Sequence, residues 1–106
     1  MSDLPKAPKA YQIFVDEYPL LADAWERIGD AGAEGPLDEK TQRLIKLAVA
    51  VGAMREGAVH SSVRKAVAMG VEPDALKQVV ALAAGTLGLP GAVAIHRWIA
   101  DVLDGE

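Results

Sequence analysis

The sequence contains no cysteine, and this absence excludes several kinds of chemistry. A chain without Cys has no disulfides, no thiolate nucleophile and no Cys-ligated metal. Aromatic residues are also scarce, at 5% of 106 residues, although apolar residues make up 51%. The apolar content is therefore mostly Ala, Val, Leu and Ile. These small aliphatic residues suit close packing of helix on helix.

The sequence also lacks a block of charge and a long hydrophobic run. The net charge is −4, and the basic residues alternate with apolar positions without forming an aromatic-rich basic stripe, so we expect no nucleic-acid binding. The longest largely apolar run, Leu47–Met54, is far too short to span a membrane. The first residues carry no apolar stretch typical of a secretory signal. We therefore expect a cytoplasmic protein.

Apolar residues recur at helical spacing, and glycine and proline divide them into six segments. No segment alternates with the period of two that a strand would need. The sequence thus predicts one all-α domain over residues 1–106. The second helix should end near Ile28, before a loop containing Gly29, Gly32, Gly35 and Pro36. The six helices are expected to begin near Lys9, Pro19, Asp38, Glu56, Pro73 and Pro90.

The pattern also predicts which helix faces are buried. The third helix is apolar nearly all round, which is typical of burial on most sides. The fourth should point Val67 inward, and the sixth helix carries Val93 in its apolar stripe. A core of small residues in so short a chain is thin, which favours further burial between subunits, and we expect a homo-oligomer. Trp25 fits either the core or a subunit contact.

A carboxylate, Glu56, lies four residues before one of the two histidines, His60. On a helix this spacing places both side chains on one face. The functional interpretation is a general acid–base pair, in which Glu56 orients the imidazole ring of His60. The simpler interpretation is a helix-surface pair that stabilises the fold by roughly 0.2–0.5 kcal/mol. Arg64, four residues further on, would oppose protonation of the ring.

Three arginines, Arg43, Arg55 and Arg64, are candidates for binding a carboxylate-bearing ligand, because a guanidinium group suits bidentate contact with a carboxylate. The alternative is that all three are solvated surface charges. Ser62 is a candidate pocket residue, since no base is placed to activate it as a nucleophile. His96 has no partner at metal-ligand spacing, so we predict neither a metal nor a cofactor.

Four segments occur in an order that resembles the carboxymuconolactone decarboxylase family, which includes the AhpD-like alkylhydroperoxidase proteins. The resemblance is strongest over residues 37–103. The segments are Leu-Asp-Glu-Lys-Thr-Gln-Arg-Leu-Ile-Lys-Leu-Ala-Val-Ala from Leu37, Val-Arg-Lys-Ala before Gly70, Pro-Asp-Ala-Leu-Lys-Gln-Val-Val from Pro73 and Gly-Leu-Pro-Gly-Ala from Gly88.

The resemblance implies an AhpD-like helical bundle that forms trimers or hexamers. In the peroxidase branch it also implies a Cys-x-x-Cys pair, a following His and an upstream Glu. In a gapless register the two Cys positions fall on Arg55 and Ala58, the His position on Ser62 and the Glu position on Arg43. A register shifted by two residues would instead place the family His on His60. Neither register supplies a thiol, so dithiol reduction of peroxides has no mechanism here.

Two hypotheses remain open from the sequence. The first is a cofactor-free decarboxylase or lyase, in which His60 transfers protons, Glu56 orients it, and Arg43 and Arg64 hold a small carboxylate-bearing molecule. The second is a non-enzymatic binding or assembly module that derives from a peroxidase-type ancestor.

Overall fold

The computed structural model describes residues 9–105, which form six α-helices and, within that range, no strand. The prediction of an all-α fold with six helices is confirmed. The helices are α1 (Lys9–Glu17), α2 (Pro19–Ala33), α3 (Glu39–Gly52), α4 (Glu56–Ala68), α5 (Pro73–Leu87) and α6 (Leu89–Leu103).

Local sequence explains where the helices begin and end. The backbone N–H of Thr41 donates to Oδ1 of Asp38 at 2.8 Å, so Asp38 caps the first turn of α3 as predicted. Pro73 occupies the first turn of α5, where its missing N–H costs no hydrogen bond. Gly70 and Gly88 end α4 and α5 with φ of +84°, a conformation that a side chain would strain.

The predicted end of the second helix is wrong. Gly29 and Gly32 lie inside α2, which continues to Ala33, and only Gly35 adopts a positive φ, of +132°. A helical glycine costs about 1 kcal/mol relative to alanine, which the surrounding turns can absorb. The loop therefore starts at Glu34, whose N–H bonds back to the carbonyl of Ala31.

Contacts between residues divide the chain into two compact units, Met1–Leu37 and Asp38–Glu106. The described part of the first unit is α1 and α2, and neither helix has a buried residue. Its apolar side chains are exposed instead, as in Leu20 at 83% and Trp25 at 63%. Trp25 is therefore not a core residue.

The second unit holds the core. α3 packs against α4 and α5, and α6 packs against α4 and α5. The fully buried side chains are all aliphatic and come from α3 to α6. They include Leu47, Val51, Val59, Val63, Leu76, Ile95 and Ile99. Met54, in the turn between α3 and α4, has a φ of +55°, so this turn uses a non-glycine residue in the left-handed region.

Three expectations about buried faces are wrong. α3 buries Leu47 but exposes Ile45 at 46% and Val49 at 66%, because the helices of this unit pack against only one side of it. Val67, on α4, is 47% exposed, and Val93, on α6, is 59% exposed. Apolar periodicity therefore predicted more burial on these three helices than the structure shows.

The cap of α3 makes the stability depend on pH. The amide of Thr41 holds the pKa of Asp38 below its ordinary value by bonding to the carboxylate. A carboxyl with a lowered folded-state pKa contributes stability that is present above its unfolded pKa of about 4 and is lost as pH falls through the folded pKa. Asp38→Ser keeps a capping oxygen but removes this titration.

We expect the unfolding midpoint of Asp38→Ser to fall less than that of the wild type between about pH 5 and pH 2. Thermal unfolding followed by circular dichroism measures both curves. Asp104→Ser, an exposed change after α6, is the control and should follow the wild type. Parallel curves for Asp38→Ser and wild type would contradict this role of the cap.

Candidate functional site

α3 and α4 form the element that carries the predicted site. They are joined by a three-residue turn and run antiparallel, so the start of α3 lies beside the end of α4. The position of Lys40 shows how residues of α3 align with residues of α4. Its Nζ lies 3.9 Å from the position that a Cβ on Gly70 would occupy. Residues near positions 40–46 of α3 therefore face residues near positions 61–70 of α4.

The structure brings Glu56 and His60 together on α4. Oε2 of Glu56 lies 3.7 Å from Nε2 of His60, within ion-pair range but beyond hydrogen-bond distance. The His60 side chain is 28% exposed and that of Glu56 is 56% exposed. Nε2 of His60 is nevertheless shielded from solvent, and it has no hydrogen-bond partner among the residues described.

Arg64 and Ser62 lie further along α4. Arg64 is four residues after His60 and shares its side of the helix. Ser62, in contrast, is only 6% exposed and sits on the buried face with the core residues Val59 and Val63. The hydroxyl of Ser62 therefore belongs to the inner side of α4.

Arg43, on α3, reaches the α4 side of the hairpin. Its Nε is shielded from solvent and, in residues 9–105, has no hydrogen-bond partner. Burial lowers the pKa of this guanidinium from its ordinary value.

Lys65 lies within electrostatic range of three other cations. Burial lowers its pKa most, and then the charges of Arg43, Lys46 and Arg64 lower it further. Arg43 and Lys46 come from α3, while Arg64 and Lys65 come from α4. We call these four side chains the cationic cluster. Arg43 and Arg64, predicted as ligand anchors, thus belong to one group of charges.

Arg55 is not part of the cationic cluster. It precedes α4 and is exposed, while Lys65 lies ten residues later, about 15 Å along the helix axis. Lys46 and Lys65 were missed as site residues. The signal that was present is the spacing of Lys40, Arg43 and Lys46, three residues apart, which places them along one side of α3.

His60 and Lys65 lie on different sides of α4. Five residues rotate the helix by about 140°, so the Glu56–His60 pair and the centre of the cationic cluster are separated around the axis. Around the helix axis, Arg64 lies between His60 and Lys65.

Two grooves of the second unit lie elsewhere. The larger, of about 480 Å³, lies between α3 and α5 and is lined mainly by apolar residues such as Leu44 and Val79. The smaller, of about 260 Å³, lies between α5 and α6 and includes His96. None of the predicted site residues on α3 and α4 lines either groove. Both grooves are mainly apolar, and the smaller one also has Lys77 and His96 in its lining.

Residues 9–105 contain no group of three His, Asp or Glu side chains arranged to hold a metal ion. Within the same range no helix has the length and apolarity to cross a membrane.

The fold and the site define a small all-α protein whose polar site lies on a helical hairpin and contains no thiol. A sequence model of the carboxymuconolactone decarboxylase family matches residues 19–101, and the chain belongs to that family. Comparison with curated proteins gave no match, and comparison with solved structures gave none.

Proposed function

We propose that this family member catalyses proton transfer on a small carboxylate-bearing molecule, as a cofactor-free decarboxylase or lyase. The observation that supports this most is the Glu56–His60 pair, in which Oε2 of Glu56 lies 3.7 Å from Nε2 of the partly exposed His60 ring. In this proposal His60 is the acid–base and Glu56 orients the ring. Arg43 and Arg64 attract the carboxylate.

The proposed decarboxylation needs no redox step. The bond between the carboxylate and its neighbouring carbon breaks, CO₂ leaves, and the electron pair remains on the carbon. A conjugated carbonyl of the substrate holds that pair until protonated His60 delivers a proton to the carbon. Acid–base catalysis of this kind contributes about 10²–10⁴-fold, and positioning by the cations would supply more.

The direct test is turnover of carboxylate-substituted lactones by wild type and His60→Ala. We expect kcat/KM to fall about 10²–10⁴-fold in the variant, because the proton donor is removed. His96→Ala, which removes the histidine of α6, is the matched control and should keep its activity.

Equal turnover by wild type and His60→Ala would remove the acid–base role. No turnover by either protein would favour the second candidate, a non-enzymatic binding or assembly module. The observation that favours this candidate is the cationic cluster itself, which offers charges for binding but no base.

We further propose that the protein is a homo-oligomer, with a trimer or a hexamer as the expected state. The support is the apolar surface of the first unit, where α2 exposes Leu20, Leu21 at 50%, Trp25 and Ile28 at 63%. Burial of such side chains stabilises an interface by about 25 cal/mol per Å² of apolar surface. Patches of this kind commonly mark contact sites.

Sedimentation equilibrium tests the oligomer. The wild type should have a mass several times the 11.2 kDa of one chain, and Trp25→Glu should shift the distribution towards the single chain, because the interface would then bury an unpaired charge. Glu26→Gln, a polar change on the same helix, should leave the mass unchanged. A wild type that remains a monomer at all concentrations would refute the proposal.

A further inference from the structure

The groove between α3 and α5 is an apolar surface that the second unit leaves open to water. Its volume is about 480 Å³, and we call it the α3–α5 groove. Apart from Thr41 and Gln78, which carry no charge, its described lining residues are apolar. Ile45 on one wall and Leu82 on the other are exposed, Leu82 at 76%. An open apolar surface of this kind commonly marks a contact site.

The helix α2 carries a row of apolar side chains on one side. Leu21, Trp25 and Ile28 are spaced four and three residues apart, so they lie along one face, and we call them the α2 ridge. Each of the three is at least half exposed within the described part of the chain. This i, i+4, i+7 spacing is the pattern by which an amphipathic helix anchors itself in an apolar groove.

We propose that the α2 ridge of one copy docks in the α3–α5 groove of a second copy. The contact is head-to-tail, because each copy gives a ridge and receives another ridge on a different surface. Such contacts close into a ring when the rotation between copies permits it. The inference rests on the proposed homo-oligomer and adds which two surfaces meet.

Shape favours the ridge over a second groove as the occupant. Two concave surfaces placed face to face would leave the floor of each groove without contacts, and apolar atoms without neighbours lose their dispersion attraction. A helix is convex, and its side-chain ridge packs into the depression between two other helices. Trp25 is the largest side chain of the ridge, and a tryptophan buries about 150–250 Å².

Charge also favours α2 as the occupant. It carries three acidic residues and one basic residue, so its net charge is −2. The helix α3, which forms one wall of the groove, carries three basic residues and one acidic residue, a net charge of +2. The other wall, α5, carries one residue of each sign. Two copies of the groove would bring like charges together, whereas α2 brings the opposite charge. Because the acids of α2 lie away from the ridge, this attraction acts as the copies approach.

Two charge substitutions separate the two surfaces. Trp25→Glu damages the ridge and leaves the groove intact, whereas Leu82→Glu damages the groove and leaves the ridge intact. Both residues are exposed in the single chain, so both variants should keep the helical content of the wild type, measured by circular dichroism. In sedimentation equilibrium each variant alone should lose self-association and show the 11.2 kDa of one chain.

An equimolar mixture of the two variants is the decisive sample. It should contain a species of two chains and none larger, because the pair retains one intact ridge and one intact groove. Ala81→Glu is the matched control, since it adds the same charge to α5 one residue away and outside the α3–α5 groove, and it should sediment as the wild type does.

The outcomes separate this inference from the proposed oligomer. A wild type that remains a single chain would overturn both. If the wild type is an oligomer and Leu82→Glu keeps the same mass, the oligomer stands and the groove is not its interface. Self-association of Trp25→Glu alone, or a mixture that contains only single chains, would also overturn the inference and leave the oligomer standing.

Tryptophan fluorescence gives a second readout of the same contact. Trp98→Phe leaves Trp25 as the only tryptophan of the chain. Its emission should shift to shorter wavelength as the protein concentration rises, because docking withdraws the exposed ring from water. The same chain with Leu82→Glu added should show no shift. A shift that persists with Leu82→Glu would mean that the α2 ridge meets another surface, contrary to the proposal.

Discussion

The packing of α3 against α4 is the constraint on which the rest of the structure depends. Leu47 and Val51 from α3 meet Val59 and Val63 from α4 in the core, and all four are fully buried. The same antiparallel packing brings the charges of Arg43 and Lys46 on α3 within electrostatic range of Lys65 on α4. The burial of aliphatic side chains thus stabilises an arrangement of charges that would not form by itself.

Much of the fold follows from local sequence signals. Asp38, Pro73, Gly70 and Gly88 mark helix ends through hydrogen bonding or backbone conformation, so their roles can be predicted without knowing the neighbours. Burial of Val49 could not be judged in this way, because apolar periodicity shows which face can be buried and not whether another helix covers it.

The candidate site also has one part that local sequence predicts and another that depends on how the helices pack. The i, i+4 spacing of Glu56 and His60 is local, and the structure places the two side chains together. The cationic cluster depends on two helices meeting in one register, so Lys46 and Lys65 could not be assigned from spacing alone. In the gapless register, Arg43 occupies the position at which the resemblance to the peroxidase branch implies a proton-relay Glu.

The most direct test of the account is a double-mutant cycle between Arg43 and Lys65 by chemical denaturation at low salt. The free energies of unfolding of wild type, Arg43→Gln, Lys65→Gln and the double variant give the coupling between the two charges. If α3 and α4 hold these cations together, the coupling is repulsive and weakens as salt is added. A coupling of zero, or an attractive one, would contradict the arrangement of the hairpin.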